Sequence, residues 1–135
     1  MRYVLDASVA VAALRQGEPL HAESLRQCMP FFAGRDEIVV PVIFDIEVFA
    51  ALVRRGADPA TVSLFIDQHF ISRKLVTIGP RGVRAVRTVI GLTRLRAGDA
   101  LYVWLAAREG LPLVTADREL LERAPLAGVT AMRPD

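Results

Sequence analysis

Five short apolar runs recur along the chain, "RYVLD", "EIVVP", "KLVTI", "LPLVT" and "GVTAM", and most do not alternate apolar with polar residues. A strand with one wet face alternates, whereas a strand buried on both faces reads as a continuous apolar run. Between these runs lie segments of helical period, long enough to serve as crossover connections. That order restricts the chain to the α/β class: three layers, α/β/α, around a mostly parallel central sheet. No repeat, low-complexity tract or linker interrupts it, so residues 1–135 read as a single domain.

Stop and start signals bound the helices. One is expected over 7–17, stopped at Gly17, and a second over 19–34, perturbed by Pro30 and closed by Gly34. A long helix over 42–56 ends at Gly56, and the next, over 58–70, starts with Asp58 as N-cap and Pro59 at N1. A basic helix over 81–95, a helix over 98–110 capped at Gly110, and a short one over 117–123 complete the order.

A hydrophobic fraction of 53% argues against disorder. No apolar stretch approaches the roughly 18 residues that span a bilayer, so no membrane association is expected. The start, "MRYVLDASVAVAALRQG", meets Asp6 early and lacks the uninterrupted apolar core of a secretory signal, which implies a cytoplasmic location. Cys28 is the only cysteine, expected as a small buried hydrophobe.

The net charge of +2 conceals an uneven distribution. Between Asp67 and Asp99 there is no acid, while Arg73, Lys74, Arg81, Arg84, Arg87, Arg94 and Arg96 supply seven positive charges. A basic middle suits a polyanionic partner, although a solvated helix face explains charge alone equally well.

The acids outside that stretch fall at telling places. In an open parallel sheet, functional groups gather beyond the carboxyl ends of the strands. Asp6 ends the first strand, Asp117 follows "LPLVT" at a helix start, and Asp99 opens a helix after Gly98. Glu47 lies in "VIFDIEVFAALV", a helix apolar almost all round and therefore expected to be buried, on a face with Ile43, Ile46, Ala50 and Val53. An unpaired carboxylate there costs several kcal/mol unless a metal or a buried arginine neutralises it. Asp45, two residues away, points elsewhere and is more easily solvated. Singly, Asp6, Asp99 and Asp117 read as helix caps. Jointly, the four would repel in one crevice unless a cation neutralised them.

The candidate ligands are all oxygen donors, while His21, His69 and Cys28 lack the spacing of a zinc site. Carboxylates suit Mg²⁺ or Mn²⁺, which activate water and stabilise charge on a phosphoryl oxygen. Hydrolysis of a phosphodiester follows, with the basic middle gripping the backbone.

"YVLDAS", "PVIFDIEVFAAL", "RAGDALYVWLA" and "LVTADREL", in this order over essentially the whole chain, resemble a PIN-domain ribonuclease of the VapC type, the toxin of a toxin–antitoxin pair. The resemblance implies a PIN-like fold, a Mg²⁺- or Mn²⁺-dependent endoribonuclease acting on RNA, a homodimer and a small VapB-like antitoxin. It also implies that Asp6, Glu47, Asp99 and Asp117 form the acidic cluster, with Asp6 and Asp99 as the most direct ligands. Thr115 and Ser8 match supporting hydroxyls, with cap or turn chemistry as the alternative. Arg94 and Arg96 would flank the crevice, and Arg81, Arg84 and Arg87, spaced by three, make a basic stripe for RNA. Tyr102 and Trp104 read as packing residues rather than base-stacking ones.

Other acid-bearing α/β folds fit less well. A receiver domain needs a paired acid in the first loop and a late strand-end lysine, and Lys74 opens its strand instead. A haloacid-dehalogenase-like phosphatase wants Asp-x-Asp where this chain has Asp6-Ala7-Ser8. An RNA-processing nuclease without an antitoxin, or a silent binding module on the same fold, remains as the alternative reading.

Overall fold

β1 (Arg2–Leu5) is the middle strand of the sheet, and its Tyr3, Val4 and Leu5 are completely buried. The computed structural model describes all 135 residues. After β1 come α1 (Ala7–Leu14), α2 (His21–Phe32), β2 (Glu37–Pro41), α3 (Ile43–Arg54), α4 (Pro59–His69) and β3 (Arg73–Val76). The second half comprises α5 (Pro80–Thr93), α6 (Ala97–Glu109), β4 (Leu113–Val114), α7 (Arg118–Arg123), a 3₁₀ turn over Ala124–Ala127 and β5 (Ala131–Met132).

The five strands are all parallel, in the order β3-β2-β1-β4-β5. Parallel strands joined by right-handed crossovers put their helices on one face while the chain moves in one direction, and on the other face when it reverses. From β1 to β3 the chain moves outward one way, so α1–α4 form one layer. It then returns past β1 to β4 and β5, which sends α5–α7 to the opposite layer. The packing agrees: α1 meets α2 and α3, whereas α6 meets α5 and the central strands. A Phe cluster anchors the first layer, with Phe70 within 5.4 Å of Phe31 and 5.8 Å of Phe44, centroid to centroid. Each such fully buried ring contributes about 1.5–3 kcal/mol.

Several expectations change at this level. The helix expected to be buried all round, α3, is amphipathic. Phe44, Val48 and Leu52 face the core at one-turn intervals, while Ile46 is 65% exposed. β3 is an edge strand with Lys74 and Leu75 exposed, because only β2 pairs with it. β4 and β5 contribute two residues each, since the chain leaves the ladder at Thr115 to turn towards α7. α1 ends at Leu14 rather than Gly17, where the backbone turns through Arg15. Pro30 lies inside α2 and leaves the carbonyl of Arg26 without its usual donor, a small cost because Arg26 is on the exposed side. Asp58 caps α4 as expected, accepting from the Thr61 amide at 3.0 Å. No helix is long and apolar enough to cross a membrane.

Candidate active site

A crevice opens where the chain reverses direction, beyond the carboxyl ends of β1 and β4, because the loops leaving these neighbours diverge to opposite layers. Asp6 follows β1 directly, and its amide donates to Val114 of β4 at 2.9 Å. Asp117 begins α7 just after β4. Glu47 reaches in from α3 in one layer, and Asp99 from the first turn of α6 in the other. The four acids line a single cavity of about 290 Å³ together with Ser8, Glu18 and Arg55.

Asp6 is the floor of this cavity and only 5% exposed. Its Oδ2 accepts from Ser8 Oγ at 2.6 Å and from Thr115 Oγ1 at 2.8 Å. Those hydroxyls are themselves held by backbone amides, Ser8 by that of Ala116 at 3.2 Å and Thr115 by that of Asp117 at 3.0 Å. The network ties the β1–α1 loop to the β4–α7 loop. Oδ1 of Asp6 carries no protein hydrogen bond and is not sealed from the cavity.

Asp117 does cap its helix, accepting from the amides of Glu119 at 2.8 Å and Leu120 at 3.4 Å, both on Oδ1. Asp6 sits at the N-cap position of α1 without a side-chain cap bond, and Asp99 lies in the first turn of α6, two residues beyond its first. Capping therefore accounts for one oxygen of one acid. Glu47 Oε1 accepts from Tyr102 Oη at 2.5 Å, and no guanidinium approaches this carboxylate. A β-carbon at Gly98 would lie 3.7 Å from Glu47 Oε2, so the α6 start and Glu47 are direct neighbours.

Crowding these acids has an electrostatic cost. Burial, reinforced by the charges of Glu47 and Asp117, pushes Asp6 up to about 6 despite its two hydroxyl bonds. Asp99 is pushed up to about 6 by burial, then by Asp6, Asp117 and Glu119, with Arg96 opposing. Glu47 is raised by burial and by Asp99, against the Tyr102 hydrogen bond. Arg55 borders the cavity, but its Nε is held by Glu18 at 3.0 Å.

Other expected residues lie apart. Asp45 is not left to solvent: Arg73 clasps it through Nε and Nη2, at 2.8 and 2.6 Å, facing away from the cavity. Arg96 is the exposed N-cap residue of α6, three residues before Asp99. Arg94 is exposed and ends α5 in the left-handed conformation at φ 60°, its carbonyl accepting from Arg123. Neither lines the acid cavity. Arg81, Arg84 and Arg87 are exposed on α5, and the first two border a different cleft. His21 Nδ1 sits 2.7 Å from the Ala12 carbonyl, and His69 packs beside Phe65.

Sequence reasoning treated Tyr102 as packing alone and missed Glu18 and Arg55. The signal for Tyr102 was its position three residues after Asp99, which shares a helix face. Nothing local marks Glu18 and Arg55, brought in by the packing of α1 against α3.

The donors are of one kind, carboxylate and hydroxyl oxygens, and suit a hard divalent cation. No three acids are drawn together into a finished cage.

Comparison with known proteins places the chain. The PIN domain profile matches residues 3–125. The ribonuclease VapC3 of Mycobacterium tuberculosis is 31% identical over 128 residues, covering 92% of this chain and 88% of the relative. Two solved structures share the fold across nearly all of both chains. VapC20 of Mycobacterium tuberculosis, a sarcin–ricin loop cleaving toxin, has TM-score 0.72 and 16% identity, covering 99% of this chain and 100% of that one. VapBC2 from Rickettsia felis, bound to a promoter DNA fragment, has TM-score 0.68 and 18% identity, covering 100% of each. The profile match and the curated relative, read with the strand order and the four acids at its reversal, lead to one assignment: the chain belongs to the PIN-domain family.

Proposed function

We propose that this protein is a Mg²⁺- or Mn²⁺-dependent endoribonuclease, the toxin of a VapBC-type pair, held inactive by a small antitoxin and working as a homodimer in the cytoplasm. The observation that carries the reading is the meeting of four carboxylates from four separate elements in one cavity with no cation paired to any of them. The kinship with a curated ribonuclease supports the activity, and the likeness of fold to VapBC2 supports the partner.

Asp6, Glu47, Asp99 and Asp117 would hold the ion. When bound, it supplies an activated water and stabilises charge on the phosphoryl oxygen. Ser8 and Thr115 fix the Asp6 carboxylate through Oδ2 and leave Oδ1 for ligation. Tyr102 fixes Glu47 through Oε1 in the same way. Arg96, exposed beside Asp99, is suited to hold a flanking phosphate.

The test is cleavage of RNA by the purified protein. Hydrolysis is expected with Mg²⁺ or Mn²⁺, none in excess EDTA, and none from Asp6→Asn with metal present. Cleavage that persists in EDTA, or in Asp6→Asn, would remove the ion from the reaction. Metal-dependent thermal stabilisation with no cleavage of any RNA would favour a silent binding module.

Tyr102→Phe deletes one hydroxyl from a buried ring and leaves its packing. Stability is expected to change by about 1 kcal/mol, whereas Mn²⁺ affinity should fall about 10–100-fold, the usual effect of losing a ligand-orienting partner. Titration of the melting temperature with Mn²⁺ reads both quantities. Equal affinity in the variant would show that Glu47 needs no such orientation.

A further inference from the structure

We propose that the cleft between the first turns of α5 and the far side of α6 is a second RNA contact, an exosite for the phosphodiester backbone. This proposal rests on the ribonuclease reading and adds to it a place that holds substrate away from the scissile bond. The cleft encloses about 880 Å³ and is bordered by Arg81, Arg84, Arg108 and Trp104, with no acid among its walls. It shares no residue with the acid cavity. Trp104 and Arg108 lie five and nine residues past Asp99 on α6, about 8 and 14 Å along the axis and roughly half a turn round it.

Several features suit an anion. None of the three arginines takes part in an ion pair, although six of the chain's fifteen acids pair with a cation elsewhere. Arg81 and Arg84 sit three apart on one helix and repel each other unless an anion intervenes. α5 starts at Gly79 with no side-chain cap and no acid in its first turn. Its first amide bonded within the helix is that of Val83, to the Gly79 carbonyl at 2.9 Å, so the amides of Arg81 and Gly82 have no helical partner. Gly82 is fixed here by space: a β-carbon would come within 2.7 Å of Ile78 Cγ1 and 3.0 Å of the Trp104 ring. Arg108 lies over that ring at 5.6 Å, which aligns its guanidinium with the cleft.

The chemistry selects a phosphodiester backbone. A docked protein segment needs an apolar anchor, and Trp104 as a whole residue is only 7% exposed. Guanidinium forks and free amides take phosphate oxygens without reading bases, so the contact is independent of sequence.

Trp104 is the only tryptophan in the chain, and its emission therefore reports on this cleft alone. The full-length protein in EDTA is titrated with a 20-nucleotide single-stranded RNA, following tryptophan emission and RNA anisotropy together. A saturable emission change that tracks anisotropy is expected. Arg81→Ala/Arg84→Ala/Arg108→Ala should bind at least tenfold more weakly, with the salt slope reduced by about 2, as three lost single-strand phosphate contacts require. If the alanine variant does not fold, the corresponding triple lysine variant, which keeps charge but not the fork, should bind more weakly than wild type. RNA binding with unchanged emission overturns the exosite, as does an unaltered salt slope in a folded variant. An emission change evoked by polyglutamate but not by RNA overturns it in favour of an acidic protein segment. Emission that responds to RNA in a protein that never cleaves RNA in Mn²⁺ sinks the ribonuclease reading and leaves the exosite standing.

Discussion

Asp99→Asn is expected to abolish RNA cleavage while making the metal-free protein more stable. Asparagine keeps the shape of the side chain but removes a charge that sits half-buried among Asp6, Asp117 and Glu119. On the metal-dependent reading proposed above, that charge would be a ligand once an ion is in place. Its loss should cost about a thousandfold in turnover, the equivalent of some 4 kcal/mol of transition-state stabilisation. Without the ion the same charge is a liability, and its removal relieves repulsion worth roughly 1 kcal/mol once solvent screening at a half-exposed site is allowed for. Melting in EDTA should rise by a few degrees, since 1 kcal/mol shifts a domain of this size by about 2–8 °C. Hydrolysis of a labelled RNA and melting curves in EDTA measure the two effects on one sample. A variant that cleaves at the wild-type rate, or that melts well below wild type without metal, contradicts the role given to Asp99.

The metal-free protein is also expected to gain stability as pH falls from 8 to 5, the reverse of ordinary acid sensitivity. Asp6 is held at about 6 in the folded chain against 3.8 when unperturbed. Near pH 5 the folded form keeps a proton that the unfolded chain has released, so acid favours folding. This contribution is complete below about pH 4 and lost as pH rises through 6. The two-unit difference amounts to roughly 3 kcal/mol in full, of which about 1.4 kcal/mol is gained between pH 8 and 5. Asp99, raised in the same direction, adds a smaller share. Asp6→Asn tests the effect, because its stability should vary less over this window, with the Asp99 shift that Asp6 helps to raise reduced as well. Saturating Mn²⁺ should reverse the trend in wild type: at a hundred times Kd it adds about 2.7 kcal/mol, and most at high pH, where the carboxylates are already ionised. Denaturant titrations at pH 5, 6, 7 and 8, with and without EDTA, provide the comparison. Parallel curves for wild type and Asp6→Asn would mean that Asp6 is not strained by its surroundings.

The features legible in the sequence were those set by local chemistry. Continuous apolar runs of β1 and β2 forecast strands covered on both faces, and Asp58-Pro59 forecast a helix start, because a few adjacent residues decide each. The acids stood out because they follow strands or interrupt apolar helices. What escaped was decided at a distance. α3 reads as apolar all round, yet Ile46 faces outward, since the stripe that meets the core is Phe44, Val48 and Leu52 and composition does not choose the stripe. Helix spacing set Asp45 apart from Glu47 and left it to solvent, but not what each would meet: Arg73, on a strand 28 residues on, clasps the first, and Tyr102 holds the second. Arg55 and Glu18 became neighbours of the cavity through helix packing that no short spacing encodes.

The hydroxyl bonds that join Ser8 and Thr115 to Asp6 have a mechanical consequence. They rivet two adjacent loops into a rigid sill, and the Tyr102 hydroxyl likewise pins Glu47 to α6, the helix that carries Asp99, while the Asp99 carboxylate accepts no such bond. Rotation of that one side chain would change the gape above the sill without disturbing the rest. An aperture with pinned walls and one adjustable jaw would accommodate cations of differing radius, so Mg²⁺ and Mn²⁺ are expected to substitute for one another more readily here than in a cage braced on every side.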